Sequence, residues 1–283
     1  MSFQPEHVQF ENKANPHSGF DMVNLQELYS RKDVEVPIDT IHLVEFYILL
    51  FIQKGKGKHT IDFTTFDCQK GSLLTIRKDQ IQRFHRSNSM DGIVLLFTDT
   101  FLVSYLEHLE AQKTLQLFNE QLSQPCIQLT TKQFEDLNSI TEKISEEYSQ
   151  INDEYSLGII RSQLHVFLAK LFRAKANLPN SLSTKKYLSD FIQFQNLLES
   201  EKSKSTKVDY YARSMGKSTK TLNNITRHIV NLSAKDFIDD IKIKQIKRLL
   251  INTNLTVNEI AFESGFEETT NFFKYFKRLT NQT

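Results

Sequence analysis

Cysteine is scarce in this 283-residue chain: Cys68 and Cys126 stand far apart and belong to no Cys-x-x-Cys or Cys/His cluster. That excludes a disulfide framework and a zinc site read from spacing, and leaves two ordinary reduced thiols as the expectation. Long hydrophobic runs are missing too. The longest, Phe46 to Ile52, is strand-sized, far below the ~20 apolar residues that span a bilayer. The first residues carry Glu6, His7 and Glu11 without an apolar stretch and a small-residue cleavage site, so no secretory leader is expected. With 39% hydrophobic and 24% charged residues, a cytoplasmic globular protein with no membrane association is expected. The length suits two domains, each with its own core.

Net charge is nearly absent as well, at +1, yet it is unevenly spread. Residues 1–183 hold 18 Lys and Arg against 23 Asp and Glu, whereas 184–283 hold 17 against 11. A balance of −5 followed by one of +6 puts phosphate attraction at the C-terminal end and leaves another task for the rest.

Residues 38–97 show short apolar runs at Val44 to Ile52, Thr60 to Phe66, Ser72 to Ile76 and Gly92 to Phe97, punctuated by Lys54-Gly-Lys-Gly57, Lys70-Gly71 and Asn88 to Gly92. They read as strands of a β-sandwich or small barrel. From Asp99 to Phe172 the period becomes helical. Phe101, Tyr105, Leu106 and Leu109 come first, then Phe134, Leu137, Ile140, Ile144 and Tyr148 within Thr131 to Tyr148. Ile159, Ile160, Leu164, Phe167, Leu168 and Leu171 follow within Tyr155 to Phe172. The last two stretches fit an antiparallel helical pair, whose leftover apolar stripe would suit either the same subunit or a second copy of the chain. Residues 1–172 therefore form one domain, 173–183 (RAKANLPNSLS) a linker and 184–283 an all-α domain, an α+β chain overall.

The all-α part holds two segments with the requirements of a helix-turn-helix: a small residue where helices cross, a turn residue tolerant of positive φ, a polar helix start and apolar anchors. In Val208 to Ile229 these are Ala212, Gly216, Ser218, and Leu222 with Ile225. In Val257 to Leu279 they are Ala261 and Gly265, with Phe272, Tyr275, Phe276 and Leu279 as the buried stripe. The two alanines lie 49 positions apart, and each precedes its glycine by four. A helix over Ala234 to Leu250 is expected between them, opened by Ser233-Ala-Lys-Asp236, and Thr256-Val-Asn-Glu259 is a capping box for the second unit.

With Leu222 and Ile225 inward, helical spacing turns Lys220, Asn223 and Asn224 outward. With Phe272 and Phe276 inward it turns Thr269, Thr270, Phe273 and Lys274 outward. Lysine suits guanine O6/N7 or a phosphate, asparagine suits adenine, and Phe273 suits either a thymine methyl or the core. Lys217, Ser218, Arg227, Lys277 and Arg278 are candidates for phosphates.

From about Leu188 to Thr283 the chain resembles the DNA-binding domain of the AraC/XylS family of bacterial transcription regulators. The resemblance rests on Lys247-Arg-Leu-Leu250, Glu259-Ile-Ala261, Gly265-Phe266 and Phe272-Phe-Lys-Tyr-Phe-Lys277. It implies a seven-helix domain whose two recognition helices enter successive major grooves, base contacts at the positions just named, and double-stranded DNA and RNA polymerase as partners. Thr226 stands where many members have Phe, and the Pro-x-x-Phe-Arg that usually follows does not appear before Thr283. The closing helix is therefore expected to be absent or short.

The same resemblance makes 38–97 a cupin-like domain that takes a small effector and supports a homodimer. Arg77, Arg83 and His85 are the candidates for an anionic effector. No His-x-His exists, and His42, His59 and His85 stand apart, so no metal or cofactor is expected. The expected activity is sequence-specific transcription control, not enzymatic. The competing readings are a cupin-fold enzyme fused to a DNA-binding domain and a constitutive DNA-binding protein with an empty sandwich.

Overall fold

A computed structural model describes residues 6–31, 37–104, 106, 118, 124–151, 153–176, 187–200 and 205–282. The chain divides into two compact units, Pro5–Ser181 and a C-terminal one from Leu182 to Thr283.

Among its described residues the N-terminal unit contains ten strands: β1 (Glu6–Val8), β2 (Phe20–Asn24), β3 (His42–Val44), β4 (Tyr47–Lys54), β5 (Lys56–Ile61), β6 (Thr64–Gln69), β7 (Ser72–Ile76), β8 (Ile81–Phe84), β9 (Asp91–Phe97) and β10 (Cys126–Gln128). They form two five-stranded sheets, β1-β3-β8-β5-β6 and β10-β7-β4-β9-β2. The run Tyr47 to Ile52 is buried throughout because β4 is central in the second sheet and covered on both faces. Ile48, Leu50 and Ile52 join Ile61, Cys68, Phe84 and Val94 between the sheets. Tyr47, Leu49 and Phe51 face the helices instead.

Those helices are α1 (Leu25–Ser30), α2 (Asp99–Val103), α3 (Thr131–Ser149) and α4 (Ser156–Ala176). Thr130 and Gln133 form a capping box that starts α3. Leu137, Ile140 and Ile144 of α3 then meet Ile160, Leu164, Phe167 and Leu171 of α4 over the second sheet. The expected helical pair is present.

Three readings need correction. Thr60 to Phe66 is not one strand but the hairpin of β5 and β6, reversed at Asp62, whose φ is +50°. Aspartate tolerates that left-handed geometry without the glycine sought as a marker. Val44 to Ile52 likewise crosses a break at Glu45 and Phe46 between β3 and β4. The stretch read as linker begins inside α4, which carries Arg173 to Ala176, and its remainder, 177–183, lies outside the described residues, as do Tyr105 and Leu109.

The C-terminal unit has six helices among the described residues, where the resemblance implies seven: α5 (Leu188–Glu199), α6 (Val208–Ser214), α7 (Thr219–Val230), α8 (Ala234–Asn252), α9 (Val257–Glu263) and α10 (Thr269–Thr280). Phe191, Phe194, Tyr211, Leu222, Ile225 and Phe237 build the first core. Ile246, Ile260, Ala261, Phe272 and Tyr275 build the second. Helix α8 contributes to both. No helix among the described residues is long and apolar enough to cross a membrane.

Candidate nucleic-acid interface

The spacing of alanine and glycine acquires a backbone explanation. Gly216 (φ +63°) and Gly265 (φ +89°) follow the ends of α6 and α9 in the left-handed region. The N–H of Lys217 donates to Ala212 C=O at 2.8 Å and that of Gly216 to Arg213 C=O at 2.9 Å. In the second unit Phe266 donates to Ala261 at 2.9 Å and Gly265 to Phe262 at 2.9 Å. Each is a Schellman cap, in which the glycine turns the chain and the alanine carbonyl is the distant acceptor. Both alanines are buried, which lets the neighbouring helix approach closely.

The second helices repeat in register. Helices α7 and α10 have 12 residues each and end on Asn231 and Asn281, both left-handed at φ +57°. Ser218 caps α7 by accepting the Thr221 N–H at 3.1 Å, whereas Glu268 provides no side-chain cap to α10. Leu222 and Ile225 are buried at the positions matched by Phe272 and Tyr275. The same offset aligns exposed Lys220, Asn224 and Arg227 with exposed Thr270, Lys274 and Lys277.

Not every outward candidate is equally available. Asn223 is half-buried: its Nδ2 donates to Thr219 C=O at 3.0 Å, and its Oδ1 accepts the Ala234 N–H at 3.0 Å. Lys217 Nζ lies 3.1 Å from Asp190, partly buried. Arg278 is 3.1 Å from buried Asp239, which also accepts from Tyr275 Oη at 2.7 Å and Lys235 Nζ at 2.6 Å. Burial and the adjacent Asp239 carboxylate push the Tyr275 phenol far above its ordinary value, keeping it a donor. Thr269 is half-buried, Ser218 is exposed, and Phe273 is 47% exposed, on the surface and not in the core. Thr226, in contrast, is fully buried, its hydroxyl turned back to Asn223 C=O at 3.2 Å.

In the N-terminal unit Arg83 and His85 share one face, and Arg77 stands apart from them. Arg77 follows β7 in one sheet; Arg83 lies on β8 in the other, exposed and bonded to Asp39 C=O at 2.8 Å. His85 bonds Thr60 Oγ1 at 2.8 Å on the same outer face as Arg83. The inward polar groups are others. His59 is completely buried, edge-on to Phe84 at 4.7 Å, with neither ring nitrogen hydrogen-bonded. Burial pulls its pKa down to about 3. Buried Gln82 contacts His42 Nδ1 at 3.3 Å and leaves its Oε1 unbonded. Alternation along β5 and β8 was the available signal for these, but it requires both strands to be recognised first. No cluster of three metal-binding side chains occurs among the described residues.

Two helix-turn-helix units in one helical domain, joined to a β-rich unit, define a DNA-binding transcription regulator of two parts. Two family models match: "Helix-turn-helix domain" over residues 211–283 and "AraC-like ligand binding domain" over residues 38–155. The chain belongs to the AraC family. It is 26% identical over 234 residues to the Msm operon regulatory protein of Streptococcus mutans serotype c, covering 82% of this chain and 80% of that relative. Among solved structures it is similar to ToxT from Vibrio cholerae (TM-score 0.44, 12% identity, 94% and 96% of the two chains). It is also similar to the C-terminal domain of the response regulator yesN from Fusobacterium nucleatum (TM-score 0.30, 23% identity, 34% of this chain and 99% of that one).

Proposed function

We propose that this regulator acts in the cytoplasm, where α7 and α10 read two adjacent operator elements and a small effector held by the N-terminal unit governs that binding. The observation that carries the reading is the match between Lys220, Asn224 and Arg227 on α7 and Thr270, Lys274 and Lys277 on α10. Two equivalent exposed stripes within one rigidly capped repeat suit two successive major grooves. Lys220, Asn224, Thr270, Phe273 and Lys274 serve as base contacts, with Thr269 at the margin; Arg227, Lys277 and Ser218 contact phosphates. Asn223, Lys217 and Arg278 hold the interface in place through the bonds they make inside the domain. RNA polymerase is the protein partner at promoters.

The effector reading draws support from the match to a ligand-binding domain and from His59, whose unbonded nitrogens in a sealed apolar surrounding suit a polar ligand group. Arg77, Arg83 and His85 lack the convergence such a site needs. A second copy of the chain is the occupant proposed for the outer face of α4. Ile159, Ser162, Val166 and Ala169 are exposed there at alternating three- and four-residue spacing.

Selection of bound DNA from a random pool, followed by mobility shifts with and without candidate effectors, tests the whole reading. Enrichment of two elements about one helical turn apart supports it; enrichment of one element, or of none, overturns it. Tight binding that no candidate effector changes would favour the constitutive alternative.

A further inference from the structure

Strands β6 and β10 are the edges of different sheets, and their ends are tied together. The Gln69 N–H donates to Ser72 Oγ at 2.9 Å, Ser72 Oγ donates to Gln128 Oε1 at 3.0 Å, and Gln69 Nε2 lies 3.5 Å from the same oxygen. A cleft of about 560 Å³ opens at this junction, lined by Lys56, Lys58, Asp67, Cys68 and Gln69 of the first sheet and Gln128 of the second. A molecule held there touches both sheets.

The polar groups of the cleft are arranged by the fold. Lys56 and Lys58 alternate with Gly57 on β5, so both side chains leave the same face about 7 Å apart along the strand. Their register partners on β6 are Gln69 and Asp67. Lys58 Nζ is 3.8 Å from the Asp67 carboxylate, an exposed pair too long for a hydrogen bond and of little energetic weight. Lys56 has no carboxylate partner among the described residues. Gln128 is fixed in orientation: its Nε2 donates to Lys70 C=O at 2.9 Å while its Oε1 faces Ser72. Gly71, left-handed at φ +84°, makes room for that amide, since a Cβ there would stand 2.7 Å from Nε2. The second Nε2 hydrogen of Gln128 and the Oε1 of Gln69 have no partner among the described residues.

Pockets for apolar ligands are walled by aliphatic and aromatic side chains. Among the described residues none lines this cleft, where two ammonium groups, a carboxylate and two carboxamides dominate. Two lysines on one strand face can close on a single phosphoryl group with charge-assisted bonds, and the carboxylate and carboxamides suit hydroxyls. We propose that the cleft binds a hydroxyl-bearing organic phosphate of sugar-phosphate type. Lys56 and Lys58 hold the phosphoryl group. Asp67, released from its long contact with Lys58, and the two glutamines take the hydroxyls. The site is separate from His59, which is not part of the lining, and the bound molecule fastens the edge of one sheet to the edge of the other.

Calorimetric titration of the full chain with glucose 6-phosphate, glycerol 3-phosphate, inorganic phosphate and glucose tests the proposal. At least one of the two organic phosphates should bind saturably, about tenfold or more tighter than inorganic phosphate, and glucose should not bind. Lys56→Gln with Lys58→Gln should weaken the organic phosphate about tenfold or more. Gln69→Ala should narrow its advantage over inorganic phosphate. All three positions are exposed, so these variants should melt with the parent when no ligand is present, and saturating ligand should raise the melting temperature of the parent more than that of the double lysine variant. The titrations contain no DNA, so their result stands apart from the effector reading. Absence of saturable binding by both organic phosphates, equal affinity for inorganic phosphate, or binding unchanged in the double lysine variant would overturn the proposal.

Discussion

The side-chain oxygen of Asn223 accepts the main-chain N–H of Ala234 at 3.0 Å, binding the first recognition helix to the start of the helix that leads to the second. Its neighbour Asn224 is exposed and makes no such bond to α8. Adjacent asparagines on one helix therefore have separable tasks. Asn223→Ala should cost about 1 kcal/mol of stability by leaving a helix-start donor unpaired, and should weaken all DNA sequences alike. Asn224→Ala should leave the melting temperature unchanged and cost ~1–3 kcal/mol for operator against random DNA. Urea melts and competition mobility shifts distinguish the two.

Asp239 joins the connecting helix to the second recognition helix through Tyr275, Arg278 and Lys235. Tyr275→Phe should cost about 1 kcal/mol, and Asp239→Ala about 2–3 kcal/mol, because the latter strands the phenol hydroxyl in the core. Thermal melts of the full chain should show this order. Equal melting temperatures for both variants and the parent would remove the clamp.

Salt dependence separates free cations from engaged ones. Lys277→Ala and Arg227→Ala should each reduce the slope of log affinity against log salt by about 1. Arg278→Ala should lower stability with a smaller change in slope, since its guanidinium already faces a carboxylate. A full unit of slope lost with Arg278 and none with Lys277 would reverse the assignment.

The turn glycines should respond to backbone conformation more than to bulk. Beyond its own chain neighbours, nothing lies within 4 Å of where a Cβ would stand at Gly216, so substitution there meets the left-handed φ alone. Gly216→Val should cost at least ~1–2 kcal/mol. Gly216→Asn should cost less, as asparagine already occupies that region at Asn231 and Asn281. Melts of the two variants that coincide would contradict the capping argument.

Acid should act on the N-terminal unit through His59. Its native pKa of about 3 lies below the ordinary 6.5, so unfolding takes up a proton whenever the pH is below about 6.5. Stability is then complete above that value and falls on acidification by up to about 1.4 kcal/mol per pH unit, levelling near pH 3. His42, lowered by burial, adds to the same sign. Denaturant titrations from pH 7 to pH 4 should show a shallower fall for His59→Leu than for the parent.

The helix-turn-helix units were legible in the sequence because their requirements are local: Ala212 and Gly216, or Ala261 and Gly265, close one cap within a few residues. Surface residues were legible only as a face. Period alone cannot tell Asn224, which is exposed, from Asn223, which is bonded to Ala234, because that bond reaches across 11 residues. The sandwich was legible as a class and poorly as strands. β1, β3 and β10 have three residues each, too short for alternation to emerge, and the Asp62 reversal lacks a glycine.

The central claim is that two equivalent helices read two adjacent elements, and footprinting on a selected operator with variants of each helix tests it most directly. Lys220→Ala with Asn224→Ala should lose protection and base preference in one element only. Thr270→Ala with Lys274→Ala should do so in the other, about one helical turn away. Loss confined to the same element for both pairs, or spread evenly over both elements, would contradict the account.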